Sequence, residues 1–505
     1  MTIQFLPPEA AEATGVHHAQ AASGNAAVAE EAVGVLRDAV RADSDVTCLL
    51  LRAAAGAGKS YVLRKLVSEA IAMRDVDRVS VVAFQNRQIQ PLALELAKSL
   101  GKEVVCLFVS ATKLNAVPRD VVNAVSVATR PEEIPRSAKV IVSTAHKLMP
   151  AFGRDSLGQT LSSAANGASP FDVLFVDEAW QLPLHLFNQI KNRAPIWVGV
   201  GDVGQLPPLE VGQNPWRGDP GYNPYRAWPT AYENAKAGTW IRELPTVWRP
   251  TAEQLGLWRA FYPEWEDLNC VAAVGDRTVE LGEMSEIAAA VWTQVVSGVP
   301  TLLEIEGLPD PDAPDVDLPL TLAVEELLDE LFTAGFTLKR AQMDDAGVPT
   351  GEEIIQTIGS DSFDPLVSLL ATRNQAVDDA SDAVERLSMK HGLGPADLIA
   401  STVDSWQGQT NGITVAIHPL SGAVSLDDFN SAFGRLAVTS TRATHGLLTV
   451  ARPGLDELLR AAPARPGTPI GEPGFRTLPR QTHKRILASY ARGKISWSRT
   501  GLGEN

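Results

Sequence analysis

The chain has 505 residues, 45% of them apolar and 21% charged, with a formal net charge of −16. That length accommodates roughly two to four domains. The acid excess excludes a protein that coats nucleic acid by bulk charge, though not one that holds a strand in a local groove. No apolar run is long enough to cross a bilayer, and Met1–Glu9 carries no basic start before a hydrophobic segment. Cys48, Cys106 and Cys270 stand too far apart for a disulfide framework or a zinc pattern. A cytoplasmic protein without a membrane partner is therefore expected.

Residues 1–45 are alanine-rich, and the apolar spacing of Ala26 to Ala42 predicts a helical lead-in. The run Cys48–Leu51 then reads as a strand, followed by Ala53-Ala-Ala55-Gly56-Ala57-Gly58-Lys59-Ser60 and a helical pattern from Tyr61. Strand, glycine-bearing turn and helix in that order wrap backbone N–H groups around nucleotide phosphates. Lys59 is placed to reach the outer phosphates and Ser60 to bind Mg²⁺, which makes ATP and Mg²⁺ the expected cofactors. Ala53 stands where the usual pattern has glycine, a change the backbone tolerates better than loss of Lys59.

Strand-like runs continue at Val79–Phe84, Val104–Phe108, Val140–Ser143, Val173–Val176 and Ile196–Val200, separated by helical patterns. Such alternation predicts an α/β fold with a parallel sheet covered on both faces. The fifth of these six strands ends in Asp177-Glu178, which puts two carboxylates at the sheet edge beside the phosphate loop. Asp177 can hold Mg²⁺ and Glu178 can polarise the attacking water. After the sixth, Gly199-Val-Gly-Asp202-Val-Gly-Gln205-Leu-Pro207-Pro208 can bring the Gln205 amide towards the γ-phosphate. Alone it reads equally well as a proline-terminated turn.

Residues 210–240, rich in Pro, Gly, Trp and Tyr, read as a long connection. Trp216, Tyr222, Tyr225 and Trp228 there fit either a stacking platform or simple packing. A second α/β set is expected to begin near Ile241 and to continue through Leu366–Ala371, Ala400–Val403, Ile413–His418 and Leu447–Val450. The weakly patterned stretch 275–360, acidic and proline-rich between Glu304 and Asp317, reads as a surface insertion. Residues 459–505 form a basic tail, open to three readings: a nucleic-acid grip, a partner-docking arm or a solvated helix.

The first three chemical segments resemble motifs I, II and III of superfamily 1 helicases. Val247-Trp248-Arg249-Pro250 resembles the segment in which an aromatic residue stacks on adenine and an arginine reaches the γ-phosphate from the second lobe. Ser401-Thr402-Val-Asp-Ser-Trp406-Gln-Gly408-Gln409 is similar to motif V, and Arg435 through Leu447, with Thr441-Arg442-Ala443, to motif VI. The wording is closest to the branch that includes the nonsense-mediated-decay RNA helicase and its DNA-acting relatives, which moves 5′ to 3′. Gln409 departs from the acidic residue often found there. Gln20, the candidate adenine reader ahead of motif I, reads better as an ordinary surface residue.

The resemblance, spanning Leu49 to Val450, implies two tandem RecA-like parallel-sheet lobes with an interlobe nucleotide cleft: 1–45 as lead-in, 46–240 as lobe 1 and 241–458 as lobe 2. It implies Lys59, Glu178, Gln205, Arg249 and Arg442 as catalytic residues. Ala55 through Ser60, Trp248 and Gly408 would bind nucleotide, with Ser60 and Asp177 on the metal. For single-stranded DNA or RNA it implies contacts at Phe84, Asn86, Thr144, His146, Thr402 and Trp406; His146 alone reads equally well as a core or capping residue, and His418 reads as core. The implied activity is an ATP-dependent helicase or translocase. Two rivals remain: an ATP-gated clamp that does not unwind, and an ATPase that remodels a protein.

Overall fold

The computed structural model describes residues 3–10, 13–150, 155–161, 169–204, 208, 223–233, 237–265, 267–311, 316–360, 364–372, 374–406, 408–427, 430, 432–463, 479–498 and 501–502. The chain divides into two compact units. The N-terminal lobe comprises Gly24–Val203 with Pro207–Leu244, and the C-terminal lobe comprises Met1–Ser23, Gly204–Leu206 and Pro245–Asn505.

Eight strands build the N-terminal lobe: β1 (Cys48–Ala53), β2 (Val79–Ala83), β3 (Val105–Phe108), β4 (Ser126–Ala128), β5 (Val140–Thr144), β6 (Val173–Asp177), β7 (Ile196–Asp202) and β8 (Thr239–Glu243). They form one sheet in the order β4-β3-β5-β2-β6-β7-β1-β8. Its pairings are parallel throughout. Every residue of β2, β3 and β5 is buried, as continuous apolar strands between two helical layers must be. Helix α1 (His18–Val40) starts earlier than its apolar spacing suggests, and within this lobe Ala29, Ala32, Val33 and Leu36 are buried. Its outer face carries ion pairs from Glu30 to Lys65 and from Glu31 to Arg242. The strand at Ile241, expected to open the second lobe, instead lies beside β1 in this first sheet, with Leu50 opposite Ile241.

The C-terminal lobe adds β9 (Thr246–Val247), β10 (Asn269–Cys270), β11 (Arg277–Leu281), β12 (Thr301–Glu306), β13 (Phe336–Met343), β14 (Pro349–Thr357), β15 (Val367–Ala371), β16 (Leu398–Thr402), β17 (Asn411–Ile417), β18 (Ala443–Ala451), β19 (Ala491–Ser498) and β20 (Gly501–Leu502). Its main sheet runs β16-β15-β17-β18-β12-β19-β20 and is parallel except at the β19–β20 edge. A small antiparallel sheet, β11-β13-β14, belongs to the same lobe. Gly412 permits the approach of the two sheets: a Cβ there would stand 2.2 Å from Leu338 Cδ1.

Two expectations change here. The stretch read as a surface insertion supplies β12 to the middle of the main sheet, with Leu302, Leu303 and Ile305 buried. Periodicity missed it because the acidic, proline-rich segment begins inside the strand, at Glu304. Of the basic tail, residues 479–498 fold into the lobe. β19 pairs with β12, and Tyr490 is buried with its hydroxyl 2.9 Å from Ser440 Oγ. Arg492 is held by Asp456 at 2.8 Å, so part of the positive charge is already paired with acids of the lobe.

Candidate nucleotide site

The loop after β1 is shaped by two left-handed glycines, Gly56 at φ 73° and Gly58 at φ 83°. A side chain at either position would be strained. Gly58 caps α2 (Lys59–Ala72) without any side-chain hydrogen bond to the helix N-terminus, so that end faces the loop unblocked by a side chain. The buried Asn25 amide donates to Ala57 O at 2.8 Å and fixes the turn from behind. Ala55 and Ala57 are buried, whereas Ser60 is exposed on the first helical turn.

Three carboxylates converge on this loop from the next two strands. Lys59 Nζ lies 3.1 Å from Glu178 Oε1 and 3.7 Å from Asp202 Oδ2. Asp177 sits half-buried at the end of β6, and desolvation followed by the Glu178 charge pushes its carboxyl up to about 7. Lys59 opposes that rise. Glu178 adopts φ 47°, ψ 48°, an unusual conformation for a residue with a side chain, which turns its carboxylate back to Lys59. The turn packs closely on β7, since a Cβ at Gly201 would stand 2.8 Å from Ala179 N.

One ammonium facing three acids leaves an excess of negative charge that a divalent cation would offset. The Oε2 atom of Glu178 is buried and accepts no hydrogen bond among the described residues. These features fit a magnesium–nucleoside triphosphate, with Ser60 and Asp177 to hold the ion and the helix end to take phosphates. Among the described residues no cluster of three or more His, Cys, Asp and Glu could hold a metal alone. Mg²⁺ would therefore depend on phosphate oxygens for much of its coordination. Asp202 is the residue that sequence reasoning quoted but did not assign; its position at the end of an apolar strand was the available signal. Gln205 lies outside the described residues, as do Trp216 and Tyr222.

Within the C-terminal lobe, Arg249 Nε donates to Thr410 Oγ1 at 3.1 Å and Nη1 to Thr441 O at 3.1 Å. Trp248 is half-buried against Ala21, Ala22 and Val271. Arg442 is only 1% exposed, with Nε donating to Val438 O at 3.1 Å and Nη1 to Gln409 O at 3.4 Å. The Val247–Pro250 segment and those resembling motifs V and VI are thus joined by hydrogen bonds. Gly408 is exposed at φ 87°.

The proposed strand contacts divide. At the C-terminal edge of the first sheet, Phe84 and His146 face each other with ring centroids 5.9 Å apart, beside an exposed Asn86. Thr144 is buried at the end of β5. Thr402 Oγ1 is half-buried and accepts from Ser405 N at 3.0 Å. Trp406 is a correction: its indole is buried among Leu370, Val403, Ala416 and Val438, and its N–H donates to Asn411 Oδ1 at 3.0 Å. A ring enclosed on both faces has none to offer a base. Trp228 likewise takes the packing reading, stacked on Phe187 at 3.9 Å. His418 is buried as expected, its Nδ1 accepting from Leu420 N at 3.1 Å.

Residues 36–211 match the family model described as AAA domain. No curated protein matches the chain. Among solved structures, the PRRSV helicase is similar at 14% identity, covering 83% of this chain and 56% of that one with a TM-score of 0.35. The DUF1998 helicase MrfA bound to DNA is similar at 10% identity, covering 89% and 54% with a TM-score of 0.40. The Escherichia coli DEAH/RHA helicase HrpB is similar at 12% identity, covering 85% and 43% with a TM-score of 0.38. The chain spans about half the length of these three. The AAA match over the first lobe is consistent with the resemblance to superfamily 1 helicases. The matched stretch includes the glycine loop of the first lobe, and each lobe is built on its own mainly parallel sheet. Among the described residues no helix is long and apolar enough to cross a membrane.

Proposed function

We propose that this chain hydrolyses ATP and uses the cycle to move along a single strand of DNA or RNA, as a superfamily 1 helicase or translocase working 5′ to 3′. The observation that carries this reading is the convergence of Lys59 with Asp177, Glu178 and Asp202 at the mouth of the glycine loop. Mg²⁺, when bound, would supply charge to offset that developing on the phosphate oxygens. Lys59 and the N-terminus of α2 hold the phosphates, Ser60 and Asp177 hold the ion, and Glu178 accepts hydrogen bonds from the attacking water. Gln205 is assigned to sense the γ-phosphate. Trp248 and Gly408 are assigned to the nucleotide, and Arg249 and Arg442 to the charge developing in the transition state, where a supplied arginine is worth roughly 10³–10⁵ in rate.

For the strand, half-buried Phe84 with exposed Asn86 and His146 are the assigned contacts in the first lobe, together with Thr144, and Thr402 serves in the second. The three cysteines are free and buried, in keeping with a reducing cytoplasm. The test is ATP turnover measured with matched DNA and RNA single strands, beside unwinding of a tailed duplex. Strand-stimulated turnover with unwinding supports the reading, and stimulation without unwinding would favour an ATP-gated clamp. Turnover indifferent to both strands would overturn the nucleic-acid role and favour a protein substrate.

A further inference from the structure

The three-stranded sheet of the C-terminal lobe has no part in the chemistry described so far, yet one of its arginines reaches into that chemistry. Arg277, the first residue of β11, donates from Nη2 to Trp248 O at 2.6 Å and from Nη1 to Thr444 O at 3.1 Å. The same Nη1 also donates to Arg249 O. Three backbone carbonyls, two of them consecutive, converge on one guanidinium. Its planar fork of donors suits that geometry, and a lysine ammonium does not match it.

The bonds close a ring. Arg277 holds the main chain of Arg249 and the start of β18 at Thr444. The Arg249 guanidinium returns to the same turn through Thr441 O, one residue before Arg442. The rest of the segment is held from the same side: Val247 O accepts from Val271 N at 2.9 Å, and Pro250 O from Cys270 Sγ at 3.4 Å. Charge makes the arrangement costly. Arg277 stands directly opposite Arg340 in the β11–β13 register, a like-charged cross-strand pair that disfavours the sheet. Burial, with Arg340 and Arg249 nearby, lowers Arg277 to about 10, while the neighbouring Asp276 favours its charge. Propensity for a strand does not explain an arginine here, whereas the three carbonyls do.

We propose that Arg277 is a positioning residue for Arg249, and that the β11-β13-β14 sheet serves as the brace that presents it. The proposal deepens the ATPase reading and rests on it for its kinetic consequence. Loss of Arg277 removes its tie to the Arg249 backbone, and a displacement of about 1 Å can cost on the order of 10²-fold in rate.

The test is a double-variant cycle on strand-stimulated ATP turnover with Arg277→Ala, Arg249→Ala and both together. Arg277→Ala should lower kcat by about tenfold or more with KM changed by less than about threefold. In the Arg249→Ala background it should add less than about twofold, because the group it positions is already gone. Multiplying losses would overturn the proposal. Arg277→Lys, which keeps the charge but not the fork, should fall between the parent and Arg277→Ala; full activity in it would also overturn the proposal. A second readout needs no turnover. Amide hydrogen exchange without nucleotide should rise in Arg277→Ala at 247–251 and 441–445, and unchanged protection there would refute the brace. Failure of the parent chain to hydrolyse ATP would refute the ATPase reading, and the exchange result would still decide the brace.

Discussion

Replacing Asp177 with Asn should stabilise the nucleotide-free N-terminal lobe, and by an amount that depends on pH. Burial and the neighbouring Glu178 raise this carboxyl from an ordinary 3.8 to about 7. A rise of about three units corresponds to about 4 kcal/mol between the two protonation states. Over the interval between those values the folded lobe binds more protons at this group than the unfolded chain does. Its contribution to stability is therefore full at low pH and is lost as pH rises through about 7. Between about pH 5 and pH 8 the loss from this one group comes to about 3 kcal/mol. The Asn variant lacks that loss, so the two proteins should match in stability only below about pH 4, with the variant more stable by about 2 kcal/mol near about pH 5 and by about 4 kcal/mol near about pH 8. Urea unfolding of both proteins at several pH values, without Mg²⁺ or nucleotide, measures the difference directly. Addition of Mg²⁺ with nucleotide should then favour the parent, because the ion binds the carboxylate and stabilises whichever state holds it. A stability difference that stays constant with pH would refute the burial argument.

Two further outcomes follow from the site. Glu178→Gln should keep nucleotide binding within about threefold while turnover falls by two or more orders of magnitude, roughly, as expected for loss of a group acting on the reacting water; preserved turnover would assign that role elsewhere. Arg442→Ala should lower kcat far more than it weakens ATP binding. It should also lower the melting temperature, since the side chain is buried and its removal leaves the Val438 and Gln409 carbonyls short of donors. Equal losses in binding and turnover would argue against a transition-state role.

Much of the N-terminal lobe was legible in the chain because its signals are local. The six expected strands appear with boundaries moved by only a few residues, since a parallel strand buried on both faces must be an unbroken apolar run. The glycine loop was legible for a similar reason: left-handed backbone at Gly56 and Gly58 demands glycine wherever the turn occurs. Asp202 was visible but unassigned, because its relevance is its 3.7 Å distance to Lys59 across two strands. Trp406 was misassigned because an aromatic residue within a motif has the same letter whether it stacks on a base or fills the core.

The sequence alone determined the class of fold, the glycine loop and the pair Asp177-Glu178, all of which depend on residues adjacent in the chain. Tertiary structure decided the rest. It placed β12 and β19 inside the second sheet, put the strand at Ile241 in the first, buried Arg442, and carried Arg277 to the carbonyls of Trp248, Arg249 and Thr444. The physical reason is separation along the chain. Backbone conformation and apolar periodicity are written over a few residues, whereas an ion pair or a guanidinium fork joins groups tens to hundreds of residues apart, and only packing specifies which ones meet.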